Sequence, residues 1–266
     1  NVFGNIDHAK KRIINDNQKE IELLEQESAA INNKLNQLHE SFVRYIISSD
    51  KKITDVPSQI APYEIINKNS SKTLVVFSGM ATRPSMPVKE FFSTLDKFDV
   101  NVLYLKDFKQ SWYLDGLLGV TSSDEETIDW IYDNIPKATK NIIFMGTSAG
   151  GYAALRLGMK SNANKVIAFS PQTYLDQSTY NMFKQKSTLI YDELKKRDVD
   201  IRNLKNNTKI DVHFGKGNLV DLKAALYISD LSNVSLYEYS FDGHNIGGYL
   251  KKNSLLEGVL KDALSG

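Results

Sequence analysis

The chain contains no cysteine. That excludes a disulfide framework, a thiol nucleophile and a cysteine metal site, and it suits a reducing, cytoplasmic location. An excess of charge of one sign is also missing, since 33 Lys and Arg face 32 Asp and Glu for a formal net charge of +1. Such a balance gives no electrostatic case for nucleic acid, and no stretch combines Lys and Arg with aromatics. No apolar run approaches the roughly 18 residues of a membrane span, so none is expected. Histidine is scarce, at four residues, and no His, Asp and Glu cluster has ligand spacing, so no metal is expected. No signal peptide is legible, and the chain opens on Asn1 rather than Met, which leaves an upstream segment open.

What is present divides into two unlike regions. Residues 7–47 hold neither Gly nor Pro, and their apolar residues fall on a heptad. Ile14, Ile21, Leu35 and Phe42 occupy one seam position, and Leu24, Ile31, Leu38 and Tyr45 the other. Asn17 and Ser28 interrupt it with polar groups, a device that often fixes register. Residues 1–50 therefore read as a long, coiled-coil-like helical region. It would serve as a coiled coil between subunits in a homo-oligomer, as a hairpin arm against its own domain, or as a linker from an upstream domain. His8 and His39 fall here and read as solvated helix residues.

Residues 51–71 are polar and carry Pro57 and Pro62, which marks a linker or a short edge strand. From residue 72 to 266 strand-like and helix-like runs alternate. The strands are Thr73–Phe77, Val100–Leu105, Asn141–Met145, Lys165–Phe169, Ile210–Phe214 and Val234–Tyr239. The helices are Pro87–Phe98, Ser123–Asn134, Gly150–Gly158, Lys184–Asp198, Asp221–Leu231 and Leu250–Ala263. Short apolar strands alternating with helices predict an α/β domain, a mostly parallel sheet with helices on both faces. Sites in such sheets lie beyond the carboxyl ends of the strands.

One stretch carries the chemistry. In Asn141 to Leu155, NIIFMGTSAGGYAAL, a strand meets Gly146-Thr147-Ser148-Ala149-Gly150 and a small-residue helix follows. This is Gly-x-Ser-x-Gly in a strand, turn, helix context, where the turn is too tight for side chains at the flanking positions. Ser148 then sits over a helix N-terminus, whose free N–H groups and dipole favour a developing negative charge. A serine hydroxyl needs an adjacent base. His213 lies inside a strand and reads as a packed residue, which leaves His244 on the loop after the last strand. Asp221 is the acid of the preceding loop, Gly215 to Asp221, and completes the order Ser, acid, His. Asn218 is the alternative third member, orienting the histidine as a neutral partner. The oxyanion donors expected are the backbone N–H groups of Ala149 and Met80, the latter beside Gly79 after the first core strand. Arg83 is a candidate anchor for an anionic group. Trp112, Tyr113, Tyr152 and Tyr174 follow strand ends or the turn, where they are candidates to stack on a sugar or to fill the core.

The serine turn, the acid loop and the late Gly-His resemble the α/β-hydrolase superfamily over residues of about 72 to 264. Phe77-Ser78-Gly79, Gly146 to Leu155, Phe169-Ser170-Pro171-Gln172 and Asp242-Gly243-His244-Asn245 are similar to a bacterial branch of it. That branch serves surface polysaccharide and glycoprotein export, and includes capsule O-acetyltransferases and hydrolase-like accessory secretion proteins. The resemblance implies an acyl-enzyme on Ser148, passed to water by an esterase or to a sugar hydroxyl by an O-acetyltransferase. No cofactor is implied beyond acetyl-CoA as the acyl donor of a transferase, and the partner is a small ester or a glycan. The competing reading is a catalytically weak binding or assembly module in which the coiled coil does the work.

Overall fold

The computed structural model describes residues 15, 17–38, 61–79, 88–175, 195–204 and 207–265. The first element, α1, is a helix over residues 17–38. Its seam residues Ile21, Leu24, Ile31, Leu35 and Leu38 are each more than half exposed. Ile14, Phe42, Tyr45, His8 and His39 lie outside the described residues.

The remaining elements build one sheet with two helical layers. They are β1 (Tyr63–Ile66), β2 (Lys72–Phe77), α2 (Val88–Leu95), β3 (Asn101–Leu105), α3 (Asp124–Asn134), β4 (Asn141–Thr147) and α4 (Ala149–Lys160). Then come β5 (Lys165–Phe169), a 3₁₀ turn at Ile201–Asn203, β6 (Lys209–Gly215), α5 (Leu219–Tyr227), β7 (Val234–Tyr239), α6 (Ile246–Lys252) and α7 (Leu256–Leu264). The strand order is β1-β3-β2-β4-β5-β6-β7. All pairs are parallel except β1 with β3, so the Pro-marked segment after residue 50 supplies an antiparallel edge strand.

Strand composition follows from burial on both faces. Leu74 and Val76 of β2 and Ile143 and Met145 of β4 point into one apolar layer with Phe91, Leu95, Leu250 and Leu260. The alternate residues Val75, Phe77 and Phe144 join Ile131, Tyr152, Leu155 and Ile228 on the other face. Helices α2, α6 and α7 thus cover one side, and α3, α4 and α5 the other. Each fully buried Leu, Ile or Phe contributes about 1.5–3 kcal/mol, which explains why these strands read as apolar runs rather than as an alternation.

Helix ends follow local chemistry. Ser123 caps α3 by accepting the Glu126 N–H, three acidic residues fill the first turn, and Ile135, forced extended before Pro136, ends it. The single helix expected over Leu250–Ala263 is two, because Ser254 takes a left-handed φ of 58° between α6 and α7. Most of the helix expected over Lys184–Asp198 lies outside the described residues. Along the chain, β2 is followed by β3 on one side and β4 lies on the other, so the order of connections reverses between β2 and β4. A crevice opens beyond the carboxyl ends at such a switch point.

Candidate active site

Ser148 stands at that switch point, between the end of β4 and the first residue of α4, with φ 53° and ψ −118°. A non-glycine residue in such a conformation costs of the order of 1–3 kcal/mol and persists only where its surroundings enforce it. Here the Ser148 N–H donates to the Phe169 carbonyl (3.0 Å), and its own carbonyl accepts the N–H groups of Tyr152 (3.1 Å) and Gln172 (3.3 Å). A serine at a helix N-cap usually bonds a first-turn N–H, but this one makes no such bond. Its hydroxyl is therefore not consumed by the helix. Two glycines permit the turn. A Cβ on Gly146 would lie 2.0 Å from the Gly150 carbonyl oxygen, and one on Gly150 would lie 2.2 Å from that of Phe77. The second contact presses the start of α4 against the end of β2, where Ser78 and Gly79 are buried.

Asp221 and His244 meet from different loops. Asp221 lies in the first turn of α5, after β6, and is buried; His244 lies after β7, with half its side chain exposed. His244 Nδ1 is 2.8 Å from Asp221 Oδ1. A carboxylate can only accept, so Nδ1 carries the proton and Nε2 is left with its lone pair. The bond to Asp221 raises the imidazole pKa above its usual 6.5, with partial burial opposing and the carboxylate charge assisting. Asp221 Oδ2 is buried and has no partner among the described residues. The Asn218 amide is occupied elsewhere, since Oδ1 accepts the backbone N–H groups of Val220 and Asp221 as the N-cap of α5. So Asn218 fixes the helix turn that carries Asp221, and the histidine bonds Asp221.

The other expected residues divide. Ala149 is buried at the N-terminus of α4, and Gly79 is buried after β2. Met80 and Arg83 lie outside the described residues. Trp112, Tyr113 and Tyr152 are fully buried, which corrects their reading as sugar-stacking rings: a ring without exposed surface has no face to offer. The Tyr113 hydroxyl donates to the Leu105 carbonyl (2.9 Å), and that of Tyr152 bonds Asp198 and the Val199 backbone. Tyr174 is half-buried, its ring 4.7 Å from that of Tyr227. His213 is packed as its strand position implies, stacked on Tyr237 and with burial pushing its pKa down to about 3.

Two features had no role assigned to them from the sequence. The loop after β3 is held by buried charge: Arg156 of α4 donates to both oxygens of Asp124 (2.9 Å each) and to the Trp112 carbonyl (3.1 Å). Trp112 and Tyr113 both have left-handed φ, 54° and 58°. Asp107, at the start of this loop, is fully buried and accepts the Tyr113 N–H (3.3 Å); burial pushes its pKa up to about 6. The second is Gln172, whose Oε1 accepts the Trp112 indole N–H. Its four-residue neighbourhood Phe169 to Gln172 stands out in the sequence, but nothing there assigns it a role.

No protein-family model matches the chain, and no curated protein matches it. Solved structures do. An esterase from Pyrococcus furiosus is 20% identical, with 76% of this chain and 84% of that one covered and a TM-score of 0.53. Mouse alpha/beta hydrolase domain-containing protein 10 is 9% identical over 76% and 93%, with a TM-score of 0.56. MenH from S. aureus is 13% identical over 76% and 97%, with a TM-score of 0.53. At these identities the likeness is one of fold, and the fold is that of the α/β-hydrolases.

Proposed function

We propose that this chain is a serine acyl hydrolase or acyltransferase, an esterase or O-acetyltransferase acting on a bacterial glycan through an acyl-enzyme. The observation that carries the reading is the 2.8 Å bond between His244 Nδ1 and buried Asp221, together with a strained serine turn whose hydroxyl caps nothing. In this reading His244 Nε2 takes the Ser148 proton as Oγ attacks an ester or thioester carbonyl. The N–H groups of Ala149 and Met80 hold the oxyanion. The imidazolium, steadied by Asp221, returns the proton to the leaving alcohol or thiol. Nε2 then deprotonates water or a sugar hydroxyl as it attacks the acyl carbonyl, and the imidazolium gives that proton to Ser148 Oγ as the Oγ–acyl bond breaks. The exposed stripe of α1 supports self-association beside this chemistry. The esterase likeness of the Pyrococcus protein supports the hydrolase arm, and the motif resemblance supports the glycan.

The test is intact-protein mass after a fluorophosphonate probe and, separately, acetyl-CoA, on wild type and Ser148→Ala. A Ser148-dependent probe adduct is expected. An added acetyl group from the thioester identifies a transferase, and labelling without acetylation an esterase. No adduct on wild type overturns the acyl reading and favours the assembly module.

A further inference from the structure

Gln172 follows β5 directly beside the nucleophile, its backbone N–H donating to the Ser148 carbonyl (3.3 Å). The orientation of its carboxamide is decided by chemistry. Its neighbour, the Trp112 indole, is a donor only, so the amide oxygen must face the indole and the NH2 group must face away. The indole side is fully buried, whereas Gln172 itself is half-buried. Among the described residues nothing accepts from its amide nitrogen. The support behind it is unusually fixed. Trp112 has a left-handed backbone and its carbonyl is held by Arg156, a fully buried guanidinium paired with Asp124. A surface glutamine that merely filled space would not need its oxygen pinned by a strained, buried tryptophan. Side chains whose rotamers are locked by such packing are suited to polar recognition.

We infer that Gln172 is a specificity-determining residue, its amide N–H donating to an ether or hydroxyl oxygen on the alcohol side of the ester at Ser148, as a sugar ring presents. This rests on the acyl reading above and narrows its substrate class to oxygen-bearing alcohols.

The test compares two acetates that differ by one ring atom, cyclohexylmethyl acetate and (tetrahydropyran-2-yl)methyl acetate. Wild type favours the oxygen-bearing ester, and Gln172→Leu lowers that kcat/KM ratio by about tenfold, as expected for a lost hydrogen bond to a neutral group. Trp112→Phe, which keeps an aromatic side chain and removes the N–H, lowers the ratio as well, because the amide is free to turn over. Equal losses on both esters would make Gln172 a support of the turn and overturn the inference. A second readout does not depend on turnover. The Gln172 side-chain amide resonances should shift when (tetrahydropyran-2-yl)methanol is titrated in, and not with cyclohexylmethanol. No selective shift overturns the inference even where Ser148 reacts with the fluorophosphonate; a shift on a protein that the probe does not label keeps the recognition and discards the catalysis.

Discussion

Asp221 and His244 are 23 residues apart in sequence, yet the carboxylate lies 2.8 Å from Nδ1 of the ring, one group buried and the other half-exposed. The asymmetry matters. The buried acid has little choice of partner, while half of the histidine side chain stays open to solvent. Because the bond favours the protonated ring, the His244 pKa lies above its usual value. Its contribution to stability is fully present below pH 6.5 and is lost as pH rises through the folded pKa.

The corresponding prediction concerns Asp221→Asn. NMR titration of the His244 ring should give a pKa above 6.5 in wild type and a lower one in the variant. A base acts only when neutral, so the acid limb of the kcat/KM profile moves to lower pH in Asp221→Asn, while the plateau drops by about 10²–10⁴-fold. An unmoved His244 titration would show that the pair does not govern the ring.

A second prediction concerns strain at Ser148. Glycine accepts φ 53° without the penalty that a Cβ brings. Ser148→Gly should therefore be more stable than Ser148→Ala by about 1–2 kcal/mol, read by urea denaturation. Both variants lose the fluorophosphonate adduct. Equal stability would mean that the surroundings relax the turn once the hydroxyl is gone.

A third prediction follows from Asp107. Its carboxyl is buried with a pKa of about 6, raised from 3.8 chiefly by burial. A raised pKa adds stability below the unfolded value that disappears as pH passes through the folded one. The shift from 3.8 to about 6 corresponds to about 3 kcal/mol at most. Asp107→Asn removes this titration while an amide oxygen still meets the Tyr113 N–H. The Tm of Asp107→Asn relative to wild type should thus rise between pH 4 and pH 8. A pH-independent difference would remove the buried carboxyl from the account.

A fourth prediction addresses α1. Its exposed Leu24, Ile31 and Leu38 share one seam position three and a half residues per turn from the other. Self-association through this stripe predicts a mass above the monomer by light scattering, reduced to the monomer by Leu24→Lys with Ile31→Lys. Sheet-domain activity should be unaffected by that pair. A monomeric wild type at micromolar concentration would leave the stripe to another partner.

Much of the architecture is legible in the sequence. β5 and β7 have the bounds their composition implies: β5 is a short apolar run buried along most of its length, and β7, VSLYEY, is rich in the β-branched and aromatic residues that suit a half-exposed edge strand. β1 was half-legible. Tyr63–Ile66 reads as loop or edge strand, and its pairing with β3 is long-range. The break between α6 and α7 was not legible, because Asn253-Ser254 carries no Gly or Pro and the turn is set by how each helix packs.

The sequence by itself determined the six parallel strands, the Gly-x-Ser-x-Gly turn and the short set of acids and histidines available to it, because these rest on local sterics and on period. Only the tertiary structure decided which groups meet. It bonded His244 to Asp221 while Asn218 capped a helix, and between the two roles open to Trp112, Tyr113 and Tyr152 it chose the core. It also turned Gln172 by way of an indole 60 residues distant. Partners so far apart in the chain are chosen by strand order and by competition for buried hydrogen bonds, and neither quantity is written in any short stretch of sequence.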